Sequence, residues 1–246
     1  MTVLRASALV AGEGLAPLHL QLLGGATVCL VGGDPQLRSA YLRTLAGAQY
    51  PLGGEVELLG RTLSALDDRR WLALRCEVGL VTREAPLVSS LGVFRNVMLP
   101  AMYHGLGSRG EIAKRARTWL ERLGFAGPAE LLPAFLPERD RKIAALARAL
   151  MLSPKLLFVD DPLYGLHGSQ AQGIAQALYE CCRELDCTLV YATDDDAFMR
   201  RHAEQILFIA PPAPRLFASW QAFHDAPDDE VQRYVSELRT EVRAFD

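Results

Sequence analysis

The chain has 246 residues, of which 50% are hydrophobic and 22% charged, and a formal net charge of -3. These values predict a packed core in one large or two small domains, and they give no basic surface of the kind that binds nucleic acid or anionic lipid. No apolar run reaches the roughly 18–20 residues of a membrane span, and the first residues do not have the pattern of a signal peptide. The five cysteines are odd in number without metal-binding spacing, which favours free thiols in a reducing cytosol.

The first part of the chain predicts a strand, a loop and a helix in succession. An apolar run over 26–31 indicates a buried strand that ends at Gly32 and Gly33. Helical spacing follows over 39–46 and stops at Gly47. This is the order of elements in a P-loop unit, which binds phosphate.

The rest of the chain alternates between helical and strand patterns. Ser108 and Glu111 form a capping-box pattern that opens a helix, and Gly124 ends it. The alternation implies a mainly parallel sheet with helices on both faces, and the helical segment 86–141 suggests a subdomain. Further strands are predicted at 55–59, 78–81, 156–159, 188–193 and 205–210, and helices at 143–151, 174–185 and 231–242, with a short helix between the last two strands.

The segment 145–162 carries the most informative pattern. A helical run, Ala-Leu-Ala-Arg-Ala-Leu, precedes an apolar strand that delivers Asp160 and Asp161 to a sheet edge, where a metal-bound phosphate could sit. Together these segments resemble the signature helix and Walker B region of an ABC-transporter ATPase, and the resemblance extends over roughly 3–225. Within that family, the segments 93–100 and 227–235 are similar to the ATPases of Mla-type phospholipid transporters.

The resemblance implies a P-loop NTPase-like α/β fold with N-terminal antiparallel strands, a mainly parallel sheet and a helical subdomain. It implies a single domain over 1–246, with a core at 1–85 and 142–225, a helical subdomain at 86–141 and a helical tail at 226–246. It also implies a cytoplasmic protein, peripheral on the inner face of the membrane. The expected partners are an ABC permease subunit and an intact ATPase subunit, in a homodimer or heterodimer, and not nucleic acid.

The Walker A loop of the family corresponds to residues 32–39. Four positions keep a possible nucleotide-binding role, namely Gly32, Gly33, Arg38 and Ser39. A Walker A loop holds phosphate with backbone N–H groups and a lysine, and Arg38 replaces that lysine with a bulkier planar group. Arg38 and Ser39 could equally just open a helix.

Two more residues of this loop conflict with phosphate binding. Pro35 has no N–H to donate. Leu37 replaces a glycine and brings a Cβ to a place where backbone must approach phosphate and positive φ is favoured. Together with Arg38, these changes predict that tight phosphate binding in the usual geometry is lost.

The magnesium-handling and switch positions also differ from the family. The resemblance places Arg83 at the Q-loop glutamine, where a cation would oppose a metal ion. It places Asp194 at the switch histidine, and an ionised aspartate cannot donate to phosphate. Because the family fold brings both positions near the γ-phosphate, a second hypothesis is that Arg83 and Asp194 pair with each other.

The signature motif corresponds to residues 136–140. Pro137 removes a donor there, Glu138 brings a negative charge, and Arg139 takes a position that is a glycine in the family. The D-loop aspartate corresponds to His167, and no aromatic residue that could stack on adenine precedes Tyr41.

The Walker B region alone keeps its carboxylates. Asp160 would be the magnesium ligand, and Asp161 would be the catalytic base, one methylene shorter than the glutamate of the family. A misplaced general base loses rate steeply. The alternative is that both are solvated acids at a strand end.

The main hypothesis is a degenerate ABC-transporter ATP-binding-type subunit that hydrolyses ATP very weakly or not at all. It would be a structural or regulatory partner in a transport assembly, possibly one that moves lipid. ATP and magnesium are the cofactors that the resemblance implies, and the altered positions argue against both. Two alternatives stay open. One is an active ATP-hydrolysing transporter subunit with Asp161 as base, and the other is a scaffold or sensor independent of any transporter.

Overall fold

The structure is a computed structural model that describes residues 1–166 and 168–244, and the side chains of 168–170 and 239–244 are not considered. His167 therefore lies outside the described residues. The chain forms two compact units, Met1–Trp71 with Thr188–Asp246, and Leu72–Cys187. The division into a core, a helical subdomain and a tail at the boundaries given above stays a prediction.

The elements alternate between strands and helices as the sequence predicts. In chain order, the strands are β1 (Thr2–Val10), β2 (Leu18–Leu23), β3 (Thr27–Val31), β4 (Gly53–Leu58), β5 (Arg61–Thr62), β6 (Val78–Val81), β7 (Leu156–Asp160), β8 (Thr188–Ala192), β9 (Gln205–Phe208) and β10 (Arg215–Phe217). The helices are α1 (Pro35–Leu45), α2 (Asp68–Arg75), α3 (Val93–Tyr103), α4 (Arg109–Arg122), α5 (Glu138–Leu150), α6 (Gly168–Glu184), α7 (Asp196–His202), α8 (Trp220–His224) and α9 (Asp229–Ala244).

The first unit contains an antiparallel sheet near the N-terminus, with the strand order β2-β1-β4-β5. Buried and exposed residues alternate along β2, so one face of this sheet is covered and the other faces solvent. This confirms the N-terminal antiparallel strands that the resemblance implied.

A second sheet in the same unit has β3 between the parallel strands β8 and β9, and β10 runs antiparallel to β9. All five residues of β3 are buried. In the register of these strands, Val28 lies beside Val190 and Cys29 beside Ile206. The carboxyl ends of parallel strands meet at one edge, so the loops after β3 and β8 come together, which is where such sheets bind ligands.

Helix α1 begins at Pro35, four residues earlier than the predicted start at 39. Asp34 is its N-cap, and the Asp34 carboxylate accepts a hydrogen bond from the Leu37 N–H at 2.8 Å. Proline at the first helical position is also favourable, because its missing N–H would have no partner inside the helix. The sequence Asp34-Pro35 is itself a helix-start signal, and the predicted start at 39 did not use it. The predicted boundary was therefore wrong.

The second unit contains the parallel pair β6 and β7 and the helices α3 to α6. Ser108 and Glu111 form the predicted capping box at the start of α4. The buried face of α4 is formed by Ile112, Ala116, Trp119 and Leu120. Strand β7 is buried throughout, as expected for a strand covered on both faces.

Several short elements were not predicted, namely α2, α8 and β10. Strand β9 ends at Phe208, two residues before the predicted end at 210. Within the part of the chain that the structure describes, every helix is too short or too polar to cross a membrane. The five cysteines form no disulfide among the described residues.

Asn96 on α3 holds the backbone that precedes that helix. Its side chain is fully buried, accepts the Val88 N–H at 2.7 Å and donates to the carbonyls of Val88 (3.0 Å), Leu91 (2.8 Å) and Gly92 (3.3 Å). The segment before α3 therefore depends on a single amide.

We expect Asn96→Ala to lower the free energy of unfolding by about 2–4 kcal/mol, because it leaves buried backbone groups without partners. Urea denaturation measures this loss. The matched control is Thr118→Ala on the exposed side of α4, where the hydroxyl bonds only within its own helix and a change within about 0.5 kcal/mol is expected. Equal losses in the two variants would contradict the assigned role of Asn96.

Candidate functional site

The loop after β3 contains two glycines in the left-handed conformation. The φ angles are 79° at Gly32 and 60° at Gly33, which residues with a Cβ rarely adopt. A Cβ on Gly32 would lie 2.5 Å from Cε2 of Phe208 and 3.1 Å from the carbonyl oxygen of Ile209. Both backbone conformation and close packing therefore require glycine at position 32.

The side chain of Arg38 folds back into this loop. Only 2% of it is exposed, and its Nη1 donates to the carbonyl oxygens of Gly32 and Gly33, each at 3.0 Å. Its Nη2 forms an ion pair with a carboxylate oxygen of Asp194. The loop thus directs carbonyl oxygens at a cation that belongs to the same chain.

The donors at the start of α1 are also engaged within the chain. The Leu37 N–H donates to the Asp34 carboxylate, and the Arg38 N–H donates to the Asp34 carbonyl at 3.1 Å. Pro35 has no N–H. The end of a helix that could attract an anion is therefore capped by a carboxylate from its own N-cap residue.

Asp194 follows β8 and uses both of its carboxylate oxygens. Oδ2 pairs with Arg38, and Oδ1 accepts from the hydroxyl of Tyr234 on α9 at 3.3 Å. Burial and the Asp194 charge raise the pKa of Tyr234, although the Arg38 charge and the Gly32 N–H act against them. Tyr234 therefore stays protonated and serves as a donor.

The Walker B carboxylates lie in the second unit, beside a different arginine. Nη2 of Arg83 is 4.0 Å from Oδ1 of Asp160 and 3.9 Å from Oδ2 of Asp161. The Arg83 guanidinium also lies 5.2 Å from the ring centroid of Tyr164. Asp160 is buried, and its Oδ1 has no hydrogen-bond partner among the described residues.

Lys142 on α5 adds a second cation to this cluster. Its buried ammonium donates to the carbonyl oxygens of Arg83 and Asp161, the latter at 3.2 Å. Burial lowers the pKa of Lys142, and the negative charges of Asp161, Glu138 and Asp160 oppose that shift. The two Walker B aspartates therefore face two positive charges from the same unit.

The predicted signature residues form the start of α5. Pro137 is the N-cap, and no side chain caps the helix. Arg139 donates to the Asp140 carboxylate at 3.1 Å and to the Gly124 carbonyl at 2.9 Å. Glu138 lies against Gly165, where a Cβ would be 2.7 Å from the Glu138 carboxyl group. The first turn carries Glu138 and Asp140, so it is negatively charged.

Arg83 and Asp194, which the sequence predicted to pair, each have a partner within their own unit, and the pairing between them stays a prediction. Asp194 binds Arg38, and Arg83 lies beside Asp160 and Asp161. The last of the predicted Walker A residues, Ser39, is buried in α1.

Sequence reasoning missed three residues of these clusters, namely Asp34, Lys142 and Tyr234. Asp34 directly before Pro35 is a helix-start signal that could have been found. Tyr234 and Lys142 belong to helical patterns. Such patterns predict the helix but not the partners of the Tyr234 hydroxyl or the Lys142 ammonium.

Comparison with known proteins identifies the family. The family model described as ABC transporter matches residues 15–164, more than half of the chain. The chain belongs to the ABC transporter family. An ABC transporter ATP-binding protein of Escherichia coli, YbbA, is 35% identical over 182 residues, which cover 74% of this chain and 79% of YbbA.

Other relatives of this ABC transporter family member are longer. The methionine import ATP-binding protein MetN 1 of Pseudomonas fluorescens is 32% identical over 200 residues, which cover 80% of this chain and 60% of that protein. The chain thus spans about three fifths of the methionine import relatives that it matches.

Solved structures show the same fold. The dimeric ATP-binding cassette MJ0796 bound to ADP and Pi has a TM-score of 0.79 at 24% identity, over 87% of this chain and 98% of that one. The cbiO1 protein of Clostridium perfringens has a TM-score of 0.78 at 21% identity, over 96% and 95% of the two chains. The ABC ATPase fold predicted from the sequence is confirmed.

We expect Arg38→Ala to lower the free energy of unfolding by about 1–3 kcal/mol, because two carbonyls and one carboxylate lose a charged donor. The loss should stay below the full penalty for breaking a buried ion pair, since the Asp194 side chain is 45% exposed and can be rehydrated. Arg38→Lys should lower the free energy of unfolding by less than Arg38→Ala does. Some loss is still expected, because a lysine ammonium cannot bind all three acceptors in the way that the planar guanidinium does. Urea denaturation gives the values. A loss no larger than that of the exposed control Arg109→Ala would contradict this role.

Proposed function

We propose that this chain is an ATP-binding-type subunit of an ABC transport assembly that does not hydrolyse ATP, and that it acts as a structural or regulatory partner. The observation that carries the proposal is the buried Arg38 guanidinium, held by Asp194 and by the carbonyls of Gly32 and Gly33. The similarity of the segments 93–100 and 227–235 to Mla-type ATPases favours a lipid-transport assembly. In this proposal the chain is cytoplasmic and peripheral at the membrane, and an intact ATPase subunit supplies the hydrolysis.

The loop does not fit a nucleotide phosphate. A phosphate needs inward N–H groups, whereas this loop presents carbonyl oxygens of Gly32 and Gly33 and lies beside two carboxylates, Asp34 and Asp194. A phosphate would have to displace Asp194 from Arg38 while facing these acceptors. Like charge and missing donors both oppose binding.

Magnesium also meets an unfavourable set of groups. Mg²⁺ prefers carboxylate oxygens and water, and the buried Asp160 would be its ligand here. Arg83 lies within 4.0 Å of both aspartates and the charge of Lys142 also acts on them, so a divalent cation would meet positive charge from the chain itself. Asp161 would act as a base only after separation from Arg83.

One observation favours an active ATPase as the second candidate. Oδ1 of Asp160 is buried and has no hydrogen-bond partner within the described residues, so it retains capacity for a cation ligand. In that case Asp161 is the base, and Asp161→Asn abolishes turnover.

Binding of Mg-ATP to the purified protein tests the proposal. A ligand at one hundred times its Kd stabilises a native protein by about 2.7 kcal/mol. We expect no shift of Tm with millimolar Mg-ATP and no phosphate release, and the E. coli relative YbbA run in parallel calibrates the assay. A raised Tm together with turnover of about 1 per second, the low end for enzymes, would overturn the proposal. Loss of that turnover in Asp161→Asn would establish the second candidate.

The proposed permease contact lies in the second unit. The segment 93–100, which resembles the family, forms most of α3, and the end of α3 and the turn after it expose large apolar side chains. These are Leu99, Met102, Tyr103 and Leu106. Exposed apolar patches of this kind commonly mark protein–protein contacts. We propose that this surface, the α3 surface, binds the permease subunit.

We expect Met102→Asp and Tyr103→Asp to reduce capture of a co-expressed permease by at least about tenfold, since a charge in an apolar interface costs over 1.4 kcal/mol. Leu216→Asp is the matched control, because Leu216 is an exposed apolar residue in the first unit. Co-purification from membranes measures the loss. Equal capture of all three variants would place the permease contact elsewhere.

A further inference from the structure

The loop after β3 is in contact with the C-terminal helix as well as with Asp194. The hydroxyl of Tyr234, on α9, donates a hydrogen bond to Oδ1 of Asp194. The oxygen of the same hydroxyl accepts a hydrogen bond from the backbone N–H of Gly32. Arg38 occupies the second oxygen of Asp194. One carboxylate therefore joins the loop to α9.

Aromatic packing makes a second link between the same parts. The ring of Phe208 fills the space beside Gly32, where a Cβ would be 2.5 Å away. Phe208 also packs against Tyr234 and Phe223, with ring centroids at 5.6 and 5.4 Å. A shift of α9 would therefore move the ring against which the loop is packed.

Helix α9 is anchored at its start and along one face. The Asp228 carboxylate accepts from the N–H groups of Glu230 and Val231, both at 3.1 Å, and pairs with Arg215. The buried residues on the inner face are Val231, Val235 and Leu238. The helix is thus held in place by its own sequence and does not depend on a partner for docking.

An open pocket of about 390 Å³ lies between α9 and the loop, lined on one side by Gly33, Pro35 and Arg38 and on the other by Tyr234 and Leu238. Solvent therefore reaches the contact between them along one side, and such a contact opens at less cost than a buried core. The Tyr234 hydroxyl spans the gap to Asp194.

We propose that α9 is an intramolecular strap that holds the loop 32–38 closed, and that Tyr234 couples release of the strap to separation of Arg38 from Asp194. Whatever draws α9 away exposes the loop, and whatever breaks the Arg38–Asp194 pair loosens α9, since coupling between two sites is reciprocal. The inference rests on the proposed function only in treating the closed loop as the state that excludes phosphate.

Hydrogen–deuterium exchange of the full chain, without nucleotide, tests this coupling. Tyr234→Phe removes the hydroxyl and keeps the ring. We expect about tenfold faster exchange in both 229–238 and 32–38, the effect of losing one hydrogen bond to a charged group. Tyr50→Phe is the control, because Tyr50 is 94% exposed in the same unit, and it should leave both segments unchanged.

The reciprocal variant is Asp194→Ala, which removes the acceptor of the Tyr234 hydroxyl and should also accelerate exchange in 229–238. In the double variant with Tyr234→Phe, the two effects on 229–238 should be less than additive, because both break one contact. Faster exchange confined to α9 in Tyr234→Phe, unchanged exchange in both segments, or full additivity would each overturn the strap. ATP turnover by the wild-type protein would overturn the proposed function alone and leave these exchange results to be judged separately.

Discussion

The buried guanidinium of Arg38 is the interaction on which the rest of the first unit depends. A charge removed from water must be surrounded by acceptors, or its burial costs several kcal/mol. Gly32 and Gly33 adopt left-handed φ angles and direct their carbonyls to it, and Asp194 supplies the counter-charge. The carbonyls of the loop and the carboxylate of Asp194 meet at this one side chain, and α9 contacts the same carboxylate through Tyr234.

The same arrangement explains why the loop has the opposite polarity to a phosphate site. A P-loop turns its N–H groups inward to surround an anion, whereas here the carbonyls of Gly32 and Gly33 accept from the Arg38 guanidinium and the Gly32 N–H bonds the Tyr234 hydroxyl. The second unit follows the same rule, with Arg83 and Lys142 beside the aspartates that would hold a metal. In each unit, charged groups of the cluster are thus paired with residues of the chain itself.

The sequence predicted most elements but few side-chain partners. Strands such as β3 and β7 follow from short apolar runs, and α4 from its capping box and its apolar face, because these signals are local. The replaced positions were also visible in the sequence. Their partners were not, since Arg83 and Asp194 could each reach several opposite charges and only tertiary placement selects among them. Tyr234 lies in an amphipathic pattern that predicts its helix. The pattern does not predict that its hydroxyl donates to Asp194.

The polar groups of the two units differ in how far they are already paired. In the second unit, Oδ1 of Asp160 is buried without a hydrogen-bond partner among the described residues, so that oxygen keeps capacity for a cation. In the first unit, Arg38 is paired with Asp194 and with the carbonyls of Gly32 and Gly33, and the Asp34 carboxylate accepts from the Leu37 N–H. An anion at the loop would have to compete with these contacts, whereas a cation would break no hydrogen bond in reaching Oδ1 of Asp160. The internal contacts of the loop therefore weigh more heavily against a ligand than those around Asp160 do.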